Sequence, residues 1–194
     1  MRQNRHMLLP EPLVLDTLRL TLRPYTSGDL AAVHRFASDR RLTEYVEWGP
    51  NTLQDSRDFL AACRAEEQQD PRQAYTFAVT AVIAGGDGGE PAAGVPFGSV
   101  GLTLGSGSTG EVGYVLAADR WGSGYATEAA AAVVGFGFRT LELARISATC
   151  RPANTASARV LEKTGMTLQG RLPAHKLIRG QREDSLLYAM SRPV

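Results

Sequence analysis

The residues best suited to chemistry lie together between Glu111 and Thr127. A short β-type stretch, Glu111-Val112-Gly113-Tyr114-Val115-Leu116, leads into Trp121-Gly122-Ser123-Gly124-Tyr125-Ala126 and then into the Ala-rich run Thr127 to Arg139, which has high helix propensity. Strand, glycine turn and helix in that order aim free backbone N–H groups at the helix start toward a bound anion, and the helix dipole adds to the attraction. A pyrophosphate suits such a place. Gly122 and Gly124 let the backbone approach phosphate oxygens with no Cβ in the way, and Ala126 keeps the approach narrow. Two better-known phosphate loops do not fit. The turn has no lysine for a Gly-Lys-Ser/Thr loop, and it lacks the third glycine and early strand of a dinucleotide fingerprint. Two glycines ahead of a helix also serve ordinary tight turns, so the rest of the chain has to decide.

The elements that must position this turn follow from periodicity. From Leu13 to Arg23 the alternation Leu18-Arg19-Leu20-Thr21-Leu22-Arg23 predicts a strand that Pro24 ends. Thr26-Ser27-Gly28-Asp29 offers caps for a helix through Leu30, Val33 and Phe36, and a second helix covers Gln54 to Glu67. Strands are expected at Ala74 to Ala84 and at Phe97 to Leu104, with residues 85–96 as a long, mobile hairpin loop between them. Beyond the Ala-rich helix come a strand at Arg145 to Cys150, a helix at Asn154 to Thr164 closed by Gly165, and two strands at Met166 to Arg171 and Ser185 to Met190. The polar region holding His175, Arg179, Gly180 and Arg182 joins those last two. This mixed order predicts an α+β fold, an α/β three-layer arrangement with helices on the faces of a sheet.

Composition narrows the function classes. The 194 residues are expected to form a single domain over 1–194, with 1–12 flexible. The net charge of +1, with Lys and Arg scattered among nearly as many acids, lacks the concentrated basic surface of a direct nucleic-acid binder. No run reaches the roughly 18 apolar residues of a membrane span, and the first ten residues lack a secretory signal's apolar stretch. Cys63 and Cys150 have no nearby Cys or His, so neither a disulfide framework nor a metal site is expected, and both read as small buried hydrophobes. A soluble, cytoplasmic protein without membrane partners is the expectation.

The stretch Gly110-Glu111-Val112-Gly113-Tyr114-Val115-Leu116, followed by Trp121-Gly122-Ser123-Gly124-Tyr125-Ala126-Thr127-Glu128-Ala129, resembles the acetyl-CoA motif of GNAT acetyltransferases. More narrowly it is similar to the branch holding the ribosomal-protein-alanine and ribosomal-protein-serine N-acetyltransferases. Three further segments agree with that branch: Leu18 to Pro24 with Asp29 near its start; Asn154-Thr155-Ala156-Ser157 leading to Leu161-Glu162-Lys163-Thr164-Gly165-Met166; and Gly180 with Asp184 near the C-terminus. The likeness covers nearly the whole chain, with its parts in the family's order. Two residues depart from the wider pattern: Trp121 stands where Gln or Arg usually opens the phosphate motif, and Met166 where an aromatic is common.

The resemblance implies a mixed, mostly antiparallel sheet flanked by helices, with splayed central strands forming an acetyl-CoA cleft. It implies transfer of acetyl from acetyl-CoA to a primary amine by direct attack, with no metal. Trp121, Gly122, Ser123, Gly124, Tyr125, Ala126 and Thr127 would hold the phosphates, while Val115 and Leu116 would meet the pantetheine arm through their backbone, one N–H polarising the thioester. Asn154 would bond that arm and Ser157 would protonate the leaving thiolate, although both residues also suit helix capping. Glu111 is the candidate base, subject to strand register, since a slip of one residue turns it to the other face. Glu47 and Trp48 lie where the family shapes its acceptor pocket, and His34, His175 and Lys163 are lesser candidates. The acceptor is a protein N-terminus or a small amine such as an amino antibiotic or metabolite. The other classes in play are a non-catalytic acyl-CoA-binding module and a structural interaction protein. Oligomeric state stays open, a homodimer among the options.

Overall fold

The computed structural model describes residues 12–82 and 94–193. The strands are β1 (Leu15–Asp16), β2 (Leu20–Arg23), β3 (Ala74–Ala81), β4 (Gly98–Gly105), β5 (Thr109–Leu116), β6 (Arg145–Cys150), β7 (Thr167–Ile178) and β8 (Gln181–Ser191). They form one sheet in the order β1-β2-β3-β4-β5-β6-β8-β7. All pairings are antiparallel except β5 with β6. The helices are α1 (Leu30–Ala37), α2 (Arg40–Thr43), α3 (Leu53–Gln68), α4 (Tyr125–Arg139) and α5 (Thr155–Lys163).

Alternation along the strands sorts side chains between the two faces. Tyr75 and Phe77 of β3 meet Phe136 of α4 edge-on, and their register partners Leu102 and Val100 carry that face on to Val112 and Tyr114 of β5. Alpha4 lies on this side, over a core in which Leu20, Leu22, Val79, Val100, Val133 and Ile146 are fully buried. On the opposite face Thr76 donates to Glu66 of α3, placing α3 there, and Tyr25 meets Phe59 edge-on. Among the described residues that second layer does not reach β5: Glu111 and Gly113 are exposed while Val112 is buried.

Three expectations change. The single strand over Leu13 to Arg23 is two strands around a turn, because Thr17 bonds Leu20 through both its N–H and its hydroxyl and folds Leu15 back against Leu22. A four-residue helix at Arg40–Thr43, capped by Asp39, was not anticipated. The polar region around His175 is not a connection but the greater part of a long hairpin, turned at Arg179 and Gly180. Both turn residues have positive φ, 46° and 81°, the pairing a two-residue hairpin turn requires. Residues 83–93 of the β3–β4 connection, and 1–11 at the N-terminus, lie outside the described residues; β3 and β4 themselves pair as a hairpin.

Candidate active site

Strands β5 and β6 pair only over Thr109–Glu111 against Arg145–Ser147, and beyond that rung they part. The parting opens a gap beside Val112–Leu116. Ala117 N–H donates to the Phe97 carbonyl, and antiparallel alternation from that bond turns the main-chain groups of Val115 and Gly113 toward β4. The main-chain groups of Tyr114 and Leu116 therefore point into the gap, and Trp121 Nε1–H donates to the Leu116 carbonyl at 2.8 Å. Of the two residues expected to bond pantetheine through their backbone, Leu116 faces the gap, whereas Val115 is engaged with Ser99 of β4.

At the mouth of the gap, α4 begins on Gly124 in the left-handed region at φ 79°, with Gly122 at 74°. Helices α3 and α5 have side-chain caps from Thr52 and Asn154, but α4 has none, so the first N–H groups of Tyr125, Ala126 and Thr127 are left for another acceptor. A Cβ built on Gly122 would meet nothing within 4 Å, so the approach to this turn is open. An anionic phosphate fits that arrangement of free donors and dipole. Arg19, from the β1–β2 turn, steadies it. Its Nη1 donates to the Ser123 carbonyl at 2.9 Å, its guanidinium lies over the Tyr125 ring, and it pairs with Glu128 at 2.6 Å. Burial acts to raise the Glu128 carboxyl, but hydrogen bonds from Thr17 and Arg19 outweigh it and hold the group below the usual carboxylate range.

Inside the gap, on the α4 face, Tyr114 Oη lies 2.9 Å from Ser157 Oγ and 3.1 Å from the Ser157 carbonyl. Burial pushes the Tyr114 phenol well above its ordinary value, with the Ser157 bond acting in the other direction, so it stays a neutral hydroxyl. Asn154 caps α5 by accepting from Ser157 N–H at 3.0 Å, which leaves its side-chain NH2 free to donate. Tyr114 is the residue that sequence reasoning missed. A signal was present: a tyrosine alternating in phase with buried Val112 and Leu116 must find a partner for its hydroxyl.

Glu111 lies on the opposite face, at the last paired rung, and accepts from Thr149 Oγ at 3.2 Å. The base and the acid candidates thus flank the gap from its two sides. Glu47 and Trp48 follow α2, both exposed, and Glu47 already has a cation beside it, Lys176 of β7 at 3.2 Å. His34 bonds Ser56 between α1 and α3, away from the gap, and Lys163 is exposed at the end of α5. Cys63 and Cys150 are buried free thiols, and desolvation pushes Cys63 up to about 12. Among the described residues no cluster of three or more His, Cys, Asp or Glu could hold a metal, and no helix is long and apolar enough to cross a membrane.

A sheet that parts beside an uncapped, glycine-fronted helix can hold an extended ligand that ends in a phosphate. The comparisons agree with it. The family model described as "Acetyltransferase (GNAT) domain" matches residues 19–167, and the chain belongs to the GNAT acetyltransferases. It is an acetyl-CoA-dependent N-acetyltransferase. It is 31% identical over 157 residues to the N-acetyltransferase YnaD of Bacillus subtilis (strain 168), covering 80% of this chain and 84% of that one. Among solved structures it is similar to Mycobacterium smegmatis RimJ in complex with CoA-disulfide, at 25% identity and TM-score 0.77, covering 95% and 90% of the two chains. It shares its fold with the ribosomal-protein-S5-alanine acetyltransferase from Vibrio fischeri, at 20% identity and TM-score 0.75, covering 92% and 96%.

Proposed function

We propose that this enzyme acetylates the N-terminal amine of a protein. The observation that carries the reading is the open acceptor side: Glu111, Gly113, Glu47 and Trp48 are all exposed, so a chain end can be laid across β5 rather than engulfed. The likeness of the chain to the ribosomal-protein acetyltransferase branch supports the same acceptor. A small amine remains the competing acceptor, because an open face admits it too.

The chemistry requires a neutral amine, a polarised thioester carbonyl and a proton for the departing thiolate. Acetyl-CoA supplies the activated acyl group; the phosphates would lie on Gly122 to Thr127 and the pantetheine arm beside Asn154. Glu111 takes the amine proton, directly or through a water held with Thr149. The main-chain N–H groups of Leu116 and Tyr114 are the donors facing the gap for a developing oxyanion. Ser157 gives its proton to the thiolate. Tyr114 sets this up: when its single proton lies on Ser157 Oγ, the serine proton is released toward the gap.

The experiment is free-thiol release from acetyl-CoA across peptides starting with Ala or Ser, polyamines and aminoglycosides. Turnover confined to the peptides is the expected result; turnover confined to a small amine overturns the protein acceptor.

A further inference from the structure

The acceptor side of the sheet holds a buried cation that no carboxylate among the described residues answers. Ser147, Thr149 and Arg151 alternate onto the face of Glu111, a placement fixed by the Thr149–Glu111 bond. Arg151 follows β6 directly and is 5% exposed. Its Nη2 donates to Ser185 Oγ at 2.5 Å, while Nη1 is buried without a hydrogen-bond partner. Among the described residues no ion pair includes Arg151, and none includes Glu111. An unanswered guanidinium out of water is costly, and its field is poorly screened.

Ser185 carries that charge outward. Its Oγ also lies 2.7 Å from Nδ1 of His175, on the exposed hairpin. A guanidinium can only donate, so Ser185 accepts from Arg151, and its single proton is free to serve Nδ1. The neutral imidazole then carries its hydrogen on Nε2; the protonated ring carries one there as well. Either way His175, an exposed residue, carries an N–H donor at Nε2 with a cation behind its other nitrogen.

We propose that His175 Nε2–H, backed through Ser185 by Arg151, binds an oxyanion of the acceptor. The preferred substrates are then amines that carry a carboxylate or phosphate at some distance from the reacting nitrogen. This rests on the reading of the Glu111 face as the acceptor side. Among the described residues Glu111 and Arg151 on that face have no ionic partner, and neither has Arg145 at the far end of β6, which bonds Gln169 instead: the carboxylate meets the amine and the histidine relay meets the anion. Glu111 is on β5 and His175 on β7, three strand spacings apart in the sheet, so the two points lie on the order of 15 Å apart. That reach suits an acidic side chain at the third or fourth residue of an extended peptide, or an acidic group at the far end of a long small-molecule amine. An α-amino acid's own carboxylate is too close. Arg151 and Ser185 are positioning residues here; His175 makes the contact.

The test is kcat/KM for matched acceptors. One arm compares C-terminally amidated Ala-Ala-Ala-Asp with Ala-Ala-Ala-Asn and amidated Ala-Ala-Asp-Ala with Ala-Ala-Asn-Ala; the other compares long ω-amino acids with their amides and phosphorylated amino alcohols with the free alcohols. The expected result is a preference of about tenfold for the acidic member, equivalent to about 1.4 kcal/mol. Arg151→Gln and His175→Ala should each bring the ratio toward one, with Arg151→Lys restoring part of it. Stabilisation by acetyl-CoA reports which variants are folded, and exposed His175 keeps the test alive if Arg151→Gln does not fold. A wild-type ratio near one in both arms, or a ratio unmoved by both variants, overturns the proposal. The arm showing the preference names the source of the anion. Equal turnover of both members sinks this inference alone, whereas silence across every pair overturns the acceptor reading beneath it and this inference with it.

Discussion

The two ends of the gap are built by different means. At the coenzyme end, one continuous stretch from Leu116 to Glu128 supplies the strand edge, the turn and the helix start, and the groups on offer are mostly main-chain N–H. At the acceptor end, Glu111, Thr149, Arg151, Ser185, His175 and Glu47 come from five separate parts of the chain, and every group on offer is a side chain. A ligand common to a whole family can be held by backbone geometry, which tolerates substitution. A ligand particular to one member has to be read by side chains, and these can be replaced one at a time without disturbing the frame.

The largest effect should follow from breaking the backbone end. Gly124→Glu puts a side chain at φ 79° and a negative charge beside the free N–H groups, and its Cβ would come 3.4 Å from Arg19 Nη2. At a hundredfold excess over Kd, acetyl-CoA should stabilise the wild type by about 2.7 kcal/mol, or roughly 5–10 °C for a chain of this size. In the variant the shift should vanish, as read by thermal melts with and without acetyl-CoA. A full shift in Gly124→Glu would mean that the phosphates bind elsewhere.

Next comes the hydroxyl pair, which belongs to the frame yet acts through side chains. Ser157→Ala should lower kcat by about tenfold to a hundredfold, at or below the usual span for a general acid, because a thiolate is a fair leaving group unaided. Tyr114→Phe should give a loss of similar size, and the double variant no more than either single one, since the two hydroxyls act as a unit. Acetyl-CoA stabilisation should persist in all three. Additive losses would show that Tyr114 serves packing rather than Ser157.

The same contrast accounts for what could be read in advance. The glycine turn, α4 and the Asn154-to-Gly165 helix carry their signals locally, as propensity, caps and positive-φ glycines, so these elements were legible, whereas the facing of Val115 and the role of Tyr114 were not. The Arg151–Ser185–His175 relay was not, because it depends on β6 pairing with β8, which no local pattern specifies. The hairpin that carries His175 hid itself for a further reason. Beta7 is an edge strand exposed along most of its length, so it shows no apolar alternation, and Pro173 lies where its register slips between Leu172 and Lys176. The Arg179-Gly180 turn was the one legible clue. Glu111 was readable as a residue but not as a geometry, since its register against β4 and β6 and its bond to Thr149 fix the face it occupies.

A smaller effect tests the brace under the coenzyme end. Glu128 accepts from Thr17 and from Arg19, and its carboxyl is held below the usual range. A depressed folded-state value contributes stability that is present above the unfolded value and lost as pH falls through the folded one. Glu128→Gln should therefore cost about 1 kcal/mol near neutral pH, discounted for the half-open Arg19, and the gap to wild type should narrow as pH falls below about 4, the ordinary carboxylate range. Urea unfolding of both proteins at pH 7 and pH 3.5 measures this. A gap that stays constant with pH would assign the loss to hydrogen-bond geometry instead of charge.

The smallest effect separates two roles for Glu47 at the acceptor end. Its pair with Lys176 is exposed on the Glu47 side and half-buried on the other, so holding the hairpin against the segment after α2 is worth about 1 kcal/mol or less. Arg179 already ties the same two segments by donating to the Thr43 and Glu44 carbonyls, which limits what the ion pair can add. If the charge of Glu47 is spent on Lys176, Glu47→Gln and Lys176→Met remove the same interaction, and each should raise the acceptor KM by the same small factor of about two, with kcat unchanged. Were Glu47 instead to meet the incoming amine, Glu47→Gln would raise KM while Lys176→Met, by freeing the carboxylate, would lower it. Opposite signs in that one pair of variants would move the cation-binding point from Glu111 to Glu47 and shorten the span an acceptor must bridge to reach His175.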